Sequence, residues 1–482
     1  MTTLAWRFRR IASLSPGRAL AFVVVALVAL GLLRADSVMQ LFAYLVVVAA
    51  ASAPSVLWVR AGALGIPVFP VIALAHIPYY ALPVVSGNEN IQPYSQWEVL
   101  RAALTVALYL GCATTAWALL ARRRAQRAAF DPGHDDRSNV IRLIFIGLGI
   151  GIAFQVALLS GVMGMFGSFF GLLRTVALMA STVGCFLAGV TRAQLALRGA
   201  PYAMAIAAIA ANILLAWASL FLVGGVILAL AFAFGFMIVR RRIPWLLLVV
   251  VIAVVGVLHS GKGEMRAKYW IEDTNYGTGL NVLQLPAFLA EWAGYGIDAI
   301  VHGEVASNAL ERASMLQMVL FAQEMTPDSV DYLRGETYAM LPSILVPRFI
   351  DENKPASQVG MDLLNVRYGL LTVEGASVTA IGWGLLAEGY ANFGYWGVVG
   401  VGLILGLLCG TLAWWSADKE VVSVATLMSI ATMMMLINVE IDFIQVCTAL
   451  LQAFGAILIF LALYGWLVIR QQRRASLALM RP

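Results

Sequence analysis

Four basic side chains stand out in a stretch that is otherwise acidic: Arg266, Arg348, Lys354 and Arg367. Residues 262–388 carry 8 Lys and Arg against 16 Asp and Glu, so these cations are islands rather than parts of a basic coat. A guanidinium grips a phosphate through two parallel hydrogen bonds, and a cation aimed at a leaving group's growing negative charge eases its departure. The plainer reading of each is a salt bridge to neighbours such as Asp351 and Glu352, or the snorkelling of a long side chain at a membrane edge. The same stretch offers groups that can move a proton. Glu388 lies at the foot of an apolar run, among glycines and aromatics, where a carboxylate is costly unless it has a purpose. His259 and His302 are its rivals as general base, although a lone histidine is more often structural.

The elements that must position these residues are membrane helices. Of 482 residues, 61 % are apolar and 12 % charged, and the mean hydropathy is +0.86. A soluble domain holds about 25 % charged residues, so a soluble fold is excluded, as is disorder. A bilayer core needs about 20 mostly apolar residues per helix. Twelve stretches meet this: 18–33, 38–59, 63–85, 99–121, 143–164, 172–190, 200–222, 223–239, 243–258, 392–415, 421–439 and 443–469. The expected fold is all-α and polytopic, with about twelve transmembrane helices and one large structured extracytoplasmic loop. Residues 1–258 form helices one to nine, 259–391 the loop, and 392–482 the last three helices and a tail. The run 200–239 is too long for one helix, and Gly224-Gly225 is the expected turn within it.

Arginine and lysine gather in alternate loops: Arg7 to Arg18, Arg60, Arg122 to Arg142, Arg192 and Arg198, Arg240 to Arg242, Lys419, and Arg470 to Arg481. The positive-inside rule then puts both termini in the cytoplasm and 259–391 outside. No small-residue cleavage site follows the first apolar stretch, which reads as a signal anchor. Cys112, Cys185, Cys409 and Cys447 all fall in spans and read as packing residues. Within the loop, 281–301 and 305–325 have apolar residues at helical spacing. They suit a membrane surface, a cap on the bundle, or the wall of a cavity.

Beyond them comes a proline-punctuated run from Glu336 through Pro342 and Pro347-Arg348-Phe349 to Lys354-Pro355. Arg367-Tyr368-Gly369, Ser377-Val378-Thr379 and Glu388-Gly389-Tyr390-Ala391-Asn392-Phe393-Gly394 follow, then Gly397-Val398. In order and spacing this region, about 342–400, resembles the Wzy-type O-antigen and exopolysaccharide repeat-unit polymerases. The resemblance implies a GT-C-like membrane glycosyltransferase of the bacterial inner membrane. Such an enzyme transfers a growing glycan from one polyprenyl-diphosphate carrier onto the sugar of another, at the periplasmic face. On that reading Arg348, Arg367, Arg266 and Lys354 hold the diphosphate. Glu388, or else His302 or His259, serves the acceptor hydroxyl, and Tyr368, Tyr390 and Asn392 contact substrate. Trp383 and Trp396 join the tyrosines as sugar-stacking rings, with an aromatic belt as the alternative for Trp396. The expected partners are the lipid-linked donor and acceptor, membrane lipid, a chain-length regulator and a flippase, with no nucleic acid. The chain departs from a common pattern of the family at Leu220–Gly225, which lacks a basic residue.

No cofactor is expected. Gly261-Lys262-Gly263 lacks the spacing of a phosphate-binding loop. The first outside loop, Arg34-Ala35-Asp36, offers one carboxylate, so metal-free catalysis is expected, with Glu440-Ile441-Asp442 as the rival metal site. The competing functions are a lipid-linked oligosaccharide transporter, a glycan ligase and a non-catalytic assembly subunit. A transporter usually shows two similar halves and polar midplane helices, and neither is visible here. The basic loop 122–142 serves topology or anionic lipid.

Overall fold

The computed structural model describes residues 15–121, 136–269, 280, 282–302, 314–346, 350–351 and 354–479. All regular elements among them are helices. In chain order the first eight are α1 (Pro16–Arg34), α2 (Val38–Arg60), α3 (Val68–Val85), α4 (Gln96–Ala121), α5 (Arg137–Leu159), α6 (Phe170–Ala193), α7 (Gly199–Trp217) and α8 (Leu222–Arg240). Next, α9 (Trp245–Ser260) and α10 (Lys262–Tyr269) meet at 52°. Then come α11 (Leu285–Val301), α12 (Leu316–Met325), α13 (Glu336–Ala339), α14 (Leu341–Leu345), α15 (Val359–Arg367) and α16 (Val373–Val378). The chain closes with α17 (Gly384–Ser416), α18 (Val424–Leu436) and α19 (Phe443–Leu479).

All twelve expected spans are found as helices, but they are not equal. Among the described residues 10 helices are long and apolar enough to cross a bilayer, or 11 if the bent α9–α10 pair is one span. The other, α18, has only 13 residues and is buried along nearly its whole length. The protein is a multi-pass membrane protein by the length and apolarity of these helices. Small residues set how closely they pack. A Cβ at Gly402 or Gly406 of α17 would lie 2.6 and 2.2 Å from the carbonyl oxygens of Tyr109 and Ala113 on α4. Such backbone contact is how helices associate where lipid removes the hydrophobic drive.

Two expectations are corrected, and one choice among alternatives is decided. The break in 200–239 falls at Ala218–Phe221, where Leu220 takes a left-handed φ of 61°, and Gly224-Gly225 lies inside α8. Gly225 serves packing instead, because a Cβ there would sit 2.4 Å from the Trp217 indole nitrogen. The amphipathic segment 281–301 folds as α11 and buries Phe288 and Trp292, so it caps α9 and α10 rather than floating on a surface. Finally, α17 begins at Gly384 instead of 392 and breaks at Phe393 and Gly394, the latter at φ 60°, ψ −142°. Glu388 is thereby inside the first half of a kinked helix and not in a loop.

Candidate active site

Three segments converge where α17 and α19 begin. Glu388 is fully buried, and its Oε2 accepts from the Phe443 N–H at 2.7 Å. Asp442 is fully buried too, and its Oδ1 accepts from the Gln445 N–H at 2.7 Å. Both carboxylates therefore sit on the N-terminus of α19. Its unpaired N–H groups and dipole offset part of the cost of burying charge there. The other oxygens, Glu388 Oε1 and Asp442 Oδ2, are buried with no hydrogen bond of good geometry, and so is the Tyr338 hydroxyl. Asp362 on α15 adds a third carboxylate beside Asp442.

Asn392 assembles the cover. Its Oδ1 accepts from Gly335 N–H at 2.9 Å. Its Nδ2 donates to Thr337 Oγ1 at 2.9 Å and to the Glu388 carbonyl at 2.9 Å. The kink frees two carbonyls of α17, and the incoming chain takes both: Leu333 N–H donates to Ala391 O and Arg334 N–H to Asn392 O, each at 3.1 Å. This strip then turns through left-handed backbone at Arg334 (φ 50°) and Gly335 (φ 94°). The turn delivers Thr337, fully buried, beside the carboxylate. Tyr338 lies between Phe393, stacked at 6.3 Å, and Phe443, edge-on at 5.1 Å. On the outer side of α13, Glu336 meets Arg367 Nη2 at 2.9 and 3.1 Å. These two side chains are 42 % and 49 % exposed.

The electrostatics follow from burial. Burial pushes the Asp442 carboxyl up to about 6, with the nearby Asp362 charge adding to the shift and the N–H groups it accepts from opposing it. Burial, then the neighbouring Glu388, raises the Tyr338 hydroxyl above its ordinary value. Burial also raises Asp362 and Glu440, the latter held back by Lys262. The arrangement can accept one proton at an enclosed carboxylate and present cations just outside it.

The expected site residues are dispersed. Glu388 is central, and Arg367 stands at the rim. Arg348 lies outside the described residues. Lys354 donates to the carbonyls of Ile344 and Val346 at 2.9 and 2.8 Å, which ties off the end of α14. Arg266 lies over the Phe221 ring at 5.2 Å. His259, Arg266 and His302 belong to α9, α10 and α11, elements that pack on one another. His302 is exposed at a helix end, with Nδ1 2.9 Å from the Asp298 carbonyl. Tyr368 and Trp383 are buried against each other at 4.6 Å. Trp383 donates to Asn365 Oδ1 at 2.9 Å. Tyr390 is buried edge-on to Tyr395. These three rings are packing residues with no open face for a sugar. Trp396 is 84 % exposed, which suits an aromatic belt and a sugar-stacking ring alike. Asn392, expected to touch substrate, is fully buried as the organiser of the cover.

The acidic pair Glu440 and Asp442 does not converge. Glu440 lies against Gly382, and its carbonyl accepts from Gly384 N–H at 3.1 Å, whereas Asp442 faces Gly360 and α19. Among the described residues no three His, Cys, Asp or Glu side chains are grouped to hold a metal ion. Sequence reasoning missed Asp442 as a neighbour of Glu388, and it missed Arg334, Thr337 and Tyr338. One signal was available: an acidic residue immediately before an apolar run is a helix cap, and a cap needs a buried N-terminus beside it only when another helix covers it. No protein-family model, curated protein or solved structure matches this chain.

Proposed function

We propose that this chain is a membrane glycosyltransferase that joins polyprenyl-diphosphate-linked oligosaccharide repeat units. It works at the periplasmic face of a bacterial inner membrane, in a GT-C-like fold. One observation carries the reading. A buried carboxylate, Glu388, with one oxygen lacking a hydrogen bond of good geometry, lies beneath the short helix α13, whose Glu336 pairs on the outer side with the exposed Arg367 of α15. Glu388 takes the proton of the acceptor hydroxyl as that oxygen attacks the donor's anomeric carbon. The bond from that carbon to the diphosphate oxygen breaks, and its electron pair leaves with the diphosphate. Arg367 and the exposed Arg334 stabilise that charge, joined by Arg348 on the grounds of the family resemblance.

Glu388 is enclosed, so α13 must move for an acceptor to reach it. The Arg367–Glu336 pair holds α13 from outside and is half exposed, worth about 0–1 kcal/mol. A diphosphate carries more charge than Glu336 and displaces it from Arg367, which releases the cover as donor arrives.

The test is purified protein in detergent with a lipid-linked repeat unit. A ladder of products of increasing length is expected. A second reading, a transporter of lipid-linked oligosaccharide, is favoured by the complete enclosure of Glu388 and Asp442, which suits proton carriage. Detergent leaves no membrane to cross, so a ladder there removes the transporter. Absence of any product, together with proton-driven uptake in vesicles, removes the transferase.

A further inference from the structure

At the end of the bundle away from Glu388, an apolar cavity of about 250 Å³ opens between α1, α2, α3, α8 and α9. Leu20, Val23, Trp58, Phe234, Met237 and Trp245 are among its walls. Phe22 and Trp245 meet edge-on at 5.9 Å and join α1 to α9 alongside it. Two of the three polar side-chain groups in the lining, those of Ser55, Trp58 and Trp245, are already used. The Ser55 hydroxyl donates to Pro70 O at 3.1 Å, and the Trp58 indole to Leu64 O at 2.8 Å. Apart from the Trp245 indole nitrogen the rest of the wall is apolar, a single donor is too few to hold a water, and an apolar cavity of this kind accepts hydrocarbon.

The rim has the opposite character. Arg18, Arg60, Arg240, Arg241 and Arg242 are all exposed and flank the lining residues Ala19, Val59, Met237 and Ile243 in the chain. The described segments 15–20, 60–68 and 240–245 that frame this rim contain no Asp or Glu. Arg241, at a left-handed φ of 51°, reaches back to the Gly62 carbonyl at 3.5 Å, which fixes the α8 end beside the α2 end. Five cations with no acid among them, above a dry hydrocarbon-sized space, match one kind of molecule: an acyl chain below a phosphate.

We propose that this cavity and its arginine rim form a binding site for an anionic glycerophospholipid, one acyl chain in the cavity and the headgroup phosphate among Arg60, Arg240, Arg241 and Arg242. The positive-inside rule puts the site in the cytoplasmic leaflet. It is independent of the chemistry proposed at Glu388. A bound lipid ties α1, the least buried span, to α2, α8 and α9.

The test reconstitutes the full protein in nanodiscs holding equal amounts of phosphatidylglycerol and phosphatidylcholine. The protein is then stripped in mild detergent, and the lipid that stays with it is weighed by mass spectrometry. Phosphatidylglycerol is expected to be retained about tenfold over phosphatidylcholine, and the preference should shrink in about 0.5 M salt, where exposed charges are screened. The double variant Arg60→Gln with Arg241→Gln should lose most of the preference. Ala233→Phe, which fills the cavity, should lower the retained phosphatidylglycerol severalfold with the arginines intact. Equal retention of the two lipids by the unaltered protein overturns the proposal and needs no variant. So does undiminished phosphatidylglycerol on a well-folded Ala233→Phe protein, because the chain is then not in the cavity.

Discussion

Two of the buried polar clusters among the described residues are built to different ends. In the first, Asn212 of α7 donates through Nδ2 to the carbonyls of Leu148 and Ala208 at 3.0 and 2.9 Å. The Ser181 hydroxyl of α6 stands 3.3 Å from its Oδ1 and 2.8 Å from Ala177 O. The cluster is neutral, its partners are complete, and it stitches α5, α6 and α7 together. In the second, Glu388 and Asp442 each satisfy one oxygen on α19 and leave the other without a hydrogen bond of good geometry. A closed network rigidifies a bundle. A network of carboxylates with spare lone pairs carries a cost that packing alone does not explain. On the function proposed above, the difference separates a residue kept for the fold from one kept for chemistry.

The largest expected effect breaks the second cluster and spares the first. Glu388→Gln keeps an acceptor for the Phe443 N–H, and its new amide can donate to Thr337. The protein should fold with equal or higher thermal stability, yet glycan transfer should drop by about 10²–10⁴, the usual worth of a general base. Asn212→Leu should do the reverse. It strands the polar groups Asn212 joins, a loss of roughly 1–3 kcal/mol, with the rate per folded molecule unchanged. Equal activity from Glu388→Gln and the native protein, read on the ladder assay, would make Glu388 a second structural polar residue like Asn212.

The next effect is at the rim. Arg367→Ala should lower transfer by about 10²–10³, as when one donor to developing charge is removed. Arg367→Lys should restore part of it, because an ammonium keeps the charge and loses the fork. Glu336→Gln removes the competitor for that arginine, so KM for the lipid-linked donor should fall while kcat changes little. A rise in KM would show that Glu336 binds substrate and does not guard it.

Much of the scaffold is legible in the sequence. Apolar runs bounded by arginine locate the helices, though not the start of α17 or the end of α19, because the length of hydrocarbon a span must cross is fixed by the bilayer. The eleventh segment, 421–439, is legible as apolar but not as short: α18 is enclosed by neighbours and has no need to reach both faces. The site was half legible. Glu388 announces itself by its cost, yet reading the chain up to Ala391 as loop, with the span starting at Asn392, hides that Asn392 binds the strip 333–337 across a kink. Left-handed residues such as Arg334 and long-range pairs such as Glu388 with Phe443 leave no periodic trace. The aromatic candidates failed for a related reason. Tyr368 and Trp383 have the composition of a sugar platform, and only burial shows that each is the other's partner.

The smallest expected effect tests whether the second cluster is strained by charge. Asp442 loses its proton near its ordinary value, about 3.8, in the unfolded chain, and near 6 in the folded one. Between these values the folded state holds more protons than the unfolded state. Stability is therefore greatest below the lower value, falls as pH rises through the interval, and levels off above the upper one. Asp442→Asn has no such titration, and its side-chain oxygen can still cap α19 by accepting from the Gln445 N–H. Thermal unfolding in detergent at pH 5 and pH 7.5 should show the native protein losing more stability on the rise than the variant does. The gap should be on the order of 1 kcal/mol, since roughly one pH unit of the titration lies in that range, or about a degree or two in Tm. Parallel curves would mean that the α19 N-terminus fully stabilises the Asp442 carboxylate, and the contrast with the Asn212 cluster would then rest on Glu388 alone.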